Sequence, residues 1–151
     1  MGTKQIERMR GFTLIETAVC LLILLTLFFL VIPQVERGME RRAMEELVAM
    51  YTADYLYAQS LAVAQGVETS IQFAPGDYFY AIKLGRTTVK KVPYHRHIQV
   101  SSNYGMPFPH AVRFDARGYV HKGGTITLSG KHWTKRLIIQ LMTGRIRVED
   151  G

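Results

Sequence analysis

From Phe12 to Pro33 the chain is apolar at almost every position, and Glu16 is the only charged residue in the run. A helix of roughly 20 such residues, rising ~1.5 Å each, covers the ~30 Å hydrocarbon core of a bilayer. The pattern then becomes amphipathic. Between Gln34 and Gln65, Met44, Leu47, Val48, Tyr51, Tyr55, Ala58 and Ala62 recur at three- and four-residue steps, which places them on one stripe of a helix. Glu45, Glu46, Ala49, Ala53 and Tyr57 fall on the opposite face. Gly66 stands where a left-handed residue would end that helix. Pro33 cannot donate to the carbonyl of Phe29, so it is the expected place for a bend or local melting.

After Gly66 the period changes to two. Residues 67–73, 78–84 and 87–92 read as strands of a meander, with residues 98–101 as a further short strand. The stretch 102–110 contains Gly105, Pro107 and Pro109 and reads as a loop. Residues 112–114, 119–121, 125–128, 137–141 and 146–148 complete the strands, separated by glycines. The expected class is α+β, with one long amino-terminal helix packed on an antiparallel β-sheet head. The divisions are 1–11 as a leader, 12–33 as an apolar helix and 34–66 as an amphipathic helix. Residues 67–151 form the head, making one globular domain with 34–66.

Lys4, Arg8 and Arg10 outweigh Glu7 ahead of the apolar run. By the positive-inside rule the leader stays cytoplasmic and the residues after Pro33 cross the membrane. The single cysteine, Cys20, lies within the apolar run, so the exported part folds without a disulfide of its own. A secretory signal peptide fits poorly, because its cleavage site would follow a shorter apolar core rather than precede a long one. A carboxylate inside a membrane helix costs at least ~2.5 kcal/mol at the bilayer centre, which makes Glu16 a functional candidate.

The junction Gly11-Phe12, with Glu16 four residues beyond, resembles the class III signal of type IV prepilins and pseudopilins. The resemblance implies cleavage after Gly11 by the prepilin peptidase and methylation of the new amino terminus, Phe12. It also implies that Glu16 and Pro33 serve filament assembly, Glu16 by meeting the Phe12 ammonium of a neighbouring subunit. The carboxyl-terminal pattern Phe114-Asp-Ala-Arg-Gly-Tyr-Val120, Gly124-Thr-Ile-Thr-Leu128 and Leu137-Ile-Ile-Gln-Leu-Met-Thr-Gly-Arg-Ile146 is similar to that of GspH/FimT-like minor pseudopilins. Within that group the short, cysteine-poor head most resembles the ComGD-type competence pseudopilins. That implies a pseudopilus for DNA uptake in natural transformation, with other pseudopilins, the peptidase and the cytoplasmic membrane as partners. A type II secretion-type minor pseudopilin and a DNA-receptor minor pilin are the alternatives, and a plain signal-anchor helix is the structural one.

Residues 34–77 hold seven acids and three Lys or Arg, a net of −4, whereas residues 78–148 hold thirteen Lys or Arg and one acid, Asp115, a net of +12. Two clusters are candidates for DNA contact: Lys83, Arg86, Lys90, Lys91 and Arg96, then Lys131, Lys135, Arg136, Arg145 and Arg147. Tyr80, Tyr94, Tyr104 and Trp133 are candidate stacking surfaces for single-stranded DNA. Solvated strand faces also carry Lys and Arg, and acidic neighbours or wall polymers would suit the same charge. His95 and His97 would share a face if their segment is a strand, but His110, His121 and His132 complete no recognisable ligand framework, so neither metal nor cofactor is expected. Nor is there a nucleophile elbow, phosphate-binding loop or paired acidic motif, so the chain reads as a protease substrate rather than an enzyme. Asp115 reads as a turn or ion-pair residue.

Overall fold

The computed structural model describes residues 13–105, 110–141 and 143–151, and within these it leaves the side chains of residues 30–33 undescribed. The leader, the Gly11-Phe12 junction and the prolines of the 102–110 loop therefore lie outside the described residues. A helix, α1, is assigned without interruption over Leu14–Gln65, including position 33. The chain divides into two compact units, Met1–Arg37 and Gly38–Gly151.

In the first unit the side chains of the apolar segment are exposed, from Leu14 at 89% to Phe29. Its threonine hydroxyls are satisfied within the helix. Thr17 Oγ1 donates to the carbonyl of Leu14 at 2.8 Å, and Thr26 Oγ1 to those of Leu22 and Ile23 at 3.0 and 2.7 Å. Such back-bonding hides a polar group from an apolar solvent. Among the described residues this helix is the one long and apolar enough to cross a membrane.

In the second unit the amphipathic part of α1 buries Met44, Leu47, Tyr51, Tyr55, Ala58 and Ala62, with Val48 half-buried. This is the stripe expected from the period. The helix ends at Gly66, whose φ of 62° is the left-handed conformation that a C′ residue supplies. Eight strands follow: β1 (Thr69–Ala74), β2 (Phe79–Leu84), β3 (Thr87–Pro93), β4 (Gln99–Ser102), β5 (Ala111–Phe114), β6 (Gly124–Ser129), β7 (Thr134–Ile139) and β8 (Ile146–Asp150). They form two four-stranded sheets rather than one, in the orders β3-β2-β1-β5 and β4-β6-β7-β8, and every named pairing is antiparallel.

Residues from both sheets and the helix meet in one cluster. At its centre Tyr51 stacks on Phe73 with ring centroids 5.1 Å apart, and Tyr80 meets both rings edgewise or tilted. On the adjoining turn of the helix Tyr55 packs edge-on against Phe114 at 4.8 Å. Burying a large apolar side chain contributes ~1.5–3 kcal/mol. With no disulfide in the head, this core of aromatic and aliphatic side chains holds the helix and both sheets together.

Two side chains of the helix also fix distant turns. Gln59 Nε2 donates to the carbonyl of Gly118 at 2.9 Å, and Tyr55 Oη donates to that of Gly144 at 2.8 Å. Gly118 has φ of 81°, and a Cβ there would press on Val63, so both conformation and space require glycine.

The expected strand at 119–121 is not formed, apart from a bridge between Val120 and Phe114. The cause is Asp115, whose Oδ1 accepts from the backbone N–H groups of Arg117 and Tyr119 and commits them to a turn. The bond from Tyr119, joined by the weaker one from Arg117 and the nearby His121 and Arg117 charges, holds the Asp115 carboxyl below its ordinary value against the opposing effect of desolvation. Asp115 is thus a turn residue. The His95–His97 segment is likewise a turn rather than a strand, closed by the Ile98 N–H donating to the carbonyl of His95.

Candidate functional site

The first candidate site is the start of α1. Thr13 precedes the helix, and its Oγ1 accepts from the N–H of Glu16 at 3.3 Å while its carbonyl takes the same N–H at 3.0 Å. Glu16 is therefore the third residue of the helix, the position of the acid in a capping box, where the positive end of the helix favours a carboxylate. Its side chain is exposed. Among the described residues, Glu16 is thus an exposed carboxylate in the first turn of an exposed apolar segment.

The second candidate is the basic head. The structure distributes its cations over two sheets and leaves several engaged. Lys90 turns toward the helix and places Nζ 2.6 Å from Asp54 Oδ1. On the second sheet Lys135 pairs with Asp150 at 2.7 Å, and Arg147 with Glu149 at 3.1 Å. Arg96 lies in the turn before β4, Lys131 in the β6–β7 turn, and Arg145 ahead of β8. Lys83, Arg86 and Lys91 belong to β2, the β2–β3 turn and β3 of the first sheet, and Arg136 to β7 of the second. The ten residues are not one surface.

The stacking expectation is overturned. Tyr80 is 0% exposed because strand alternation turns it inward with Ile82, and Tyr94 and Tyr104, which lie beyond the ends of β3 and β4, are buried in the same core. Only Trp133 of the four reaches solvent, at 38% exposure, and the Arg41 guanidinium already lies 5.6 Å from its ring centroid.

Two acids that sequence reasoning passed over organise the head. Asp54 is buried and accepts from Tyr80 Oη at 2.8 Å as well as from Lys90. Burial first, and then this bond, push the Tyr80 phenol far above its ordinary value. Glu40 receives the β6–β7 turn: its Oε1 accepts from the N–H groups of His132 and Trp133 at 2.9 and 3.2 Å, and its Oε2 lies 2.8 Å from His132 Nδ1. Burial raises the Glu40 pKa, but the hydrogen bonds from His132 and Trp133 together outweigh it and leave the carboxyl below its ordinary value. A Cβ at residue 130 would overlap Glu40 Oε1, so Gly130 admits the carboxylate. Both acids were visible as polar residues on the apolar stripe, since Glu40 stands four before Met44 and Asp54 three after Tyr51.

Among the described residues no three His, Cys, Asp or Glu side chains converge as metal ligands. His110 Nδ1 lies 3.0 Å from Ser102 Oγ, and His132 is held by Glu40.

No family model and no characterised protein sequence matches the chain. Solved structures do. The type IV minor pilin FimU of Pseudomonas aeruginosa superposes with a TM-score of 0.56 at 23% identity, covering 76% of this chain and 90% of FimU. A second crystal form of FimU gives 0.54 at 22% identity, over 72% of this chain and 91% of that one. EpsH, the minor pseudopilin of the type 2 secretion system of Vibrio cholerae, gives 0.52 at 13% identity, over 68% of this chain and 92% of EpsH. At these identities the likeness speaks for architecture, and the architecture is the α+β pilin-like fold, a long amino-terminal helix packed on an antiparallel β head.

Proposed function

We propose that the chain is a minor pseudopilin of a DNA-uptake machine, of the ComGD-type resemblance read in its sequence. It inserts with its leader in the cytoplasm, is cut after Gly11, is methylated at Phe12 and enters a short filament. The observation that carries this reading is the combination of a pilin-like head with an exposed apolar segment of α1 whose only carboxylate, Glu16, sits in the first turn of the helix. An ammonium at Phe12 and a carboxylate at Glu16 are each costly in lipid and much less so when paired. Pairing between neighbouring subunits converts that cost into a register for assembly, while the apolar faces pack together out of lipid.

The processing step is tested with Gly11→Glu, which should leave a full-length precursor in the membrane fraction where the wild-type chain is shortened. Normal shortening in that variant would remove the cleavage assignment. The likeness to EpsH supports a second reading, a minor pseudopilin of a secretion system. An in-frame deletion with complementation separates the two. Loss of labelled-DNA uptake with normal secretion of hydrolases is the expected result, and the converse would make this a secretion subunit.

A further inference from the structure

On the outer face of the first sheet lies a trough of about 530 Å³. Along β1 the side chains of Ile71 and Phe73 enter the core, so Ser70 and Gln72 point outward. The register sets Ser70 between Lys83 of β2 and Arg113 of β5, and Gln72 between Ala81 and Ala111. Directly paired residues share a face of the sheet. Lys83 and Arg113 thus flank a floor of Ser70, Gln72 and Ala111. Neighbouring strands are ~4.8 Å apart, which puts the two cationic strands, one on each side of β1, about 10 Å from each other.

Arg86 in the β2–β3 turn adds a third cation to the lining, and Glu68, paired with Arg113, is the one acid there among the described residues. Lys83 Nζ donates to Gln72 Oε1 at 3.1 Å. Opposite Ala81, Lys91 continues the basic face and lies 5.1 Å from the Phe79 ring centroid. Lys90, its neighbour in sequence, is on the other face with Asp54.

The long side chains of these rows can converge on one phosphate, and three cations around a trough of about 530 Å³ also leave room for successive phosphates of a chain laid across the strands. The floor offers amide and hydroxyl groups of the kind that contact phosphate and sugar oxygens. Base stacking has no platform here, because Tyr80, Tyr94 and Tyr104 are in the core. We propose that this trough binds the phosphodiester backbone of DNA and does not read its bases. The proposal rests on the DNA-uptake reading above for its choice of DNA over other phosphodiester polymers. It reassigns the site from the two sequence clusters to Lys83, Arg86 and Arg113, with Lys91 at the margin.

The test uses the purified full chain in a neutral detergent, titrated with labelled duplex DNA, single-stranded DNA of the same length, and poly(glycerol phosphate). Binding should be independent of sequence, with log K falling against log salt at a slope of about −2.7 for duplex and about −2.1 for single strands if three phosphates are contacted. Lys83→Gln with Arg86→Gln should reduce the duplex slope to about −0.9, one contact remaining. Glu68→Gln, which deletes the trough's acid, should strengthen binding, an effect that misfolding cannot mimic. Arg117→Gln with Lys122→Gln removes the same charge from the loop after β5 and should leave the slope as it was. Equal losses in both double variants would show that net charge and not the trough attracts DNA, and would overturn the site. Tighter binding of poly(glycerol phosphate) than of DNA would overturn the choice of polymer. If gene deletion abolishes DNA uptake but Lys83→Gln with Arg86→Gln changes neither binding nor uptake, the trough is wrong and the uptake reading stands. If the trough binds DNA in solution while the deletion leaves uptake intact, the binding site stands and the choice of machine fails.

Discussion

Asp54 shows how one polar residue on an apolar stripe can specify a core. It sits among Tyr51, Tyr55 and Ala58, yet both its carboxylate oxygens are occupied, one by Tyr80 Oη and one by Lys90 Nζ. The helix is thereby tied to β2 and β3 by directional bonds as well as by ring packing. Asp54→Ala would strand the Tyr80 hydroxyl in the core and leave Lys90, itself half-exposed, to solvent. An unsatisfied buried hydroxyl costs ~1–3 kcal/mol and the lysine adds little, so a loss of about 2 kcal/mol is expected in denaturant unfolding of the full chain. A loss under about 0.5 kcal/mol would mean that the bond is not holding the sheet. The same reasoning explains the failed stacking expectation. Composition alone makes a tyrosine beside lysines look like a nucleic-acid platform, but in β2 the alternation that sends Ile82 inward sends Tyr80 with it.

At the scale of elements, the helix was legible from its 3.6-residue stripe and most strands from their alternation and intervening glycines. The division into two sheets was not, because pairings such as β1 with β5 and β4 with β6 join segments that are distant in sequence and carry no local signal. The docking of the β6–β7 turn on Glu40 was hidden for the same reason, being a contact between residues about ninety positions apart. That contact carries a pH dependence. The Glu40 carboxyl is held below its ordinary value of 4.5, so the folded state gains stability that is fully present above that value and lost as pH falls through the lower folded one. Glu40→Gln keeps one acceptor and removes the titration. The wild-type chain should lose more unfolding stability than the variant between pH 7 and pH ~3, and at pH 7 the variant should be weaker by about 1 kcal/mol. Parallel losses in the two proteins on acidification would show that Glu40 does not contribute.

On the scale of the whole molecule, the two compact units place opposite demands on their surroundings. The head satisfies its own apolar stripe against two sheets, whereas the apolar segment from Leu14 onward leaves large side chains exposed and satisfies only its threonine hydroxyls internally. Such a segment is stable in lipid or against other helices of its kind, and the transfer between the two is what a filament requires. In the assembly proposed above, Glu16 would decide between the two: its charge is a penalty in lipid, and pairing with the Phe12 ammonium of a neighbouring subunit would relieve it. The capping bond at Thr13 is made by the backbone N–H of residue 16 whatever its side chain, and the positive end of the helix favours a carboxylate there by only ~0.3–1 kcal/mol. Glu16→Val should therefore be cleaved and inserted normally, because it leaves the Gly11-Phe12 junction intact and makes the helix more apolar. It should then remain in the membrane fraction and be depleted from sheared filaments by tenfold or more, about 1.4 kcal/mol of lost pairing. Glu16→Gln, which retains the capping geometry without the charge, should be depleted to a similar degree. Recovery of either variant in filaments at wild-type levels would show that the apolar faces alone set the register and that the carboxylate serves only the helix start.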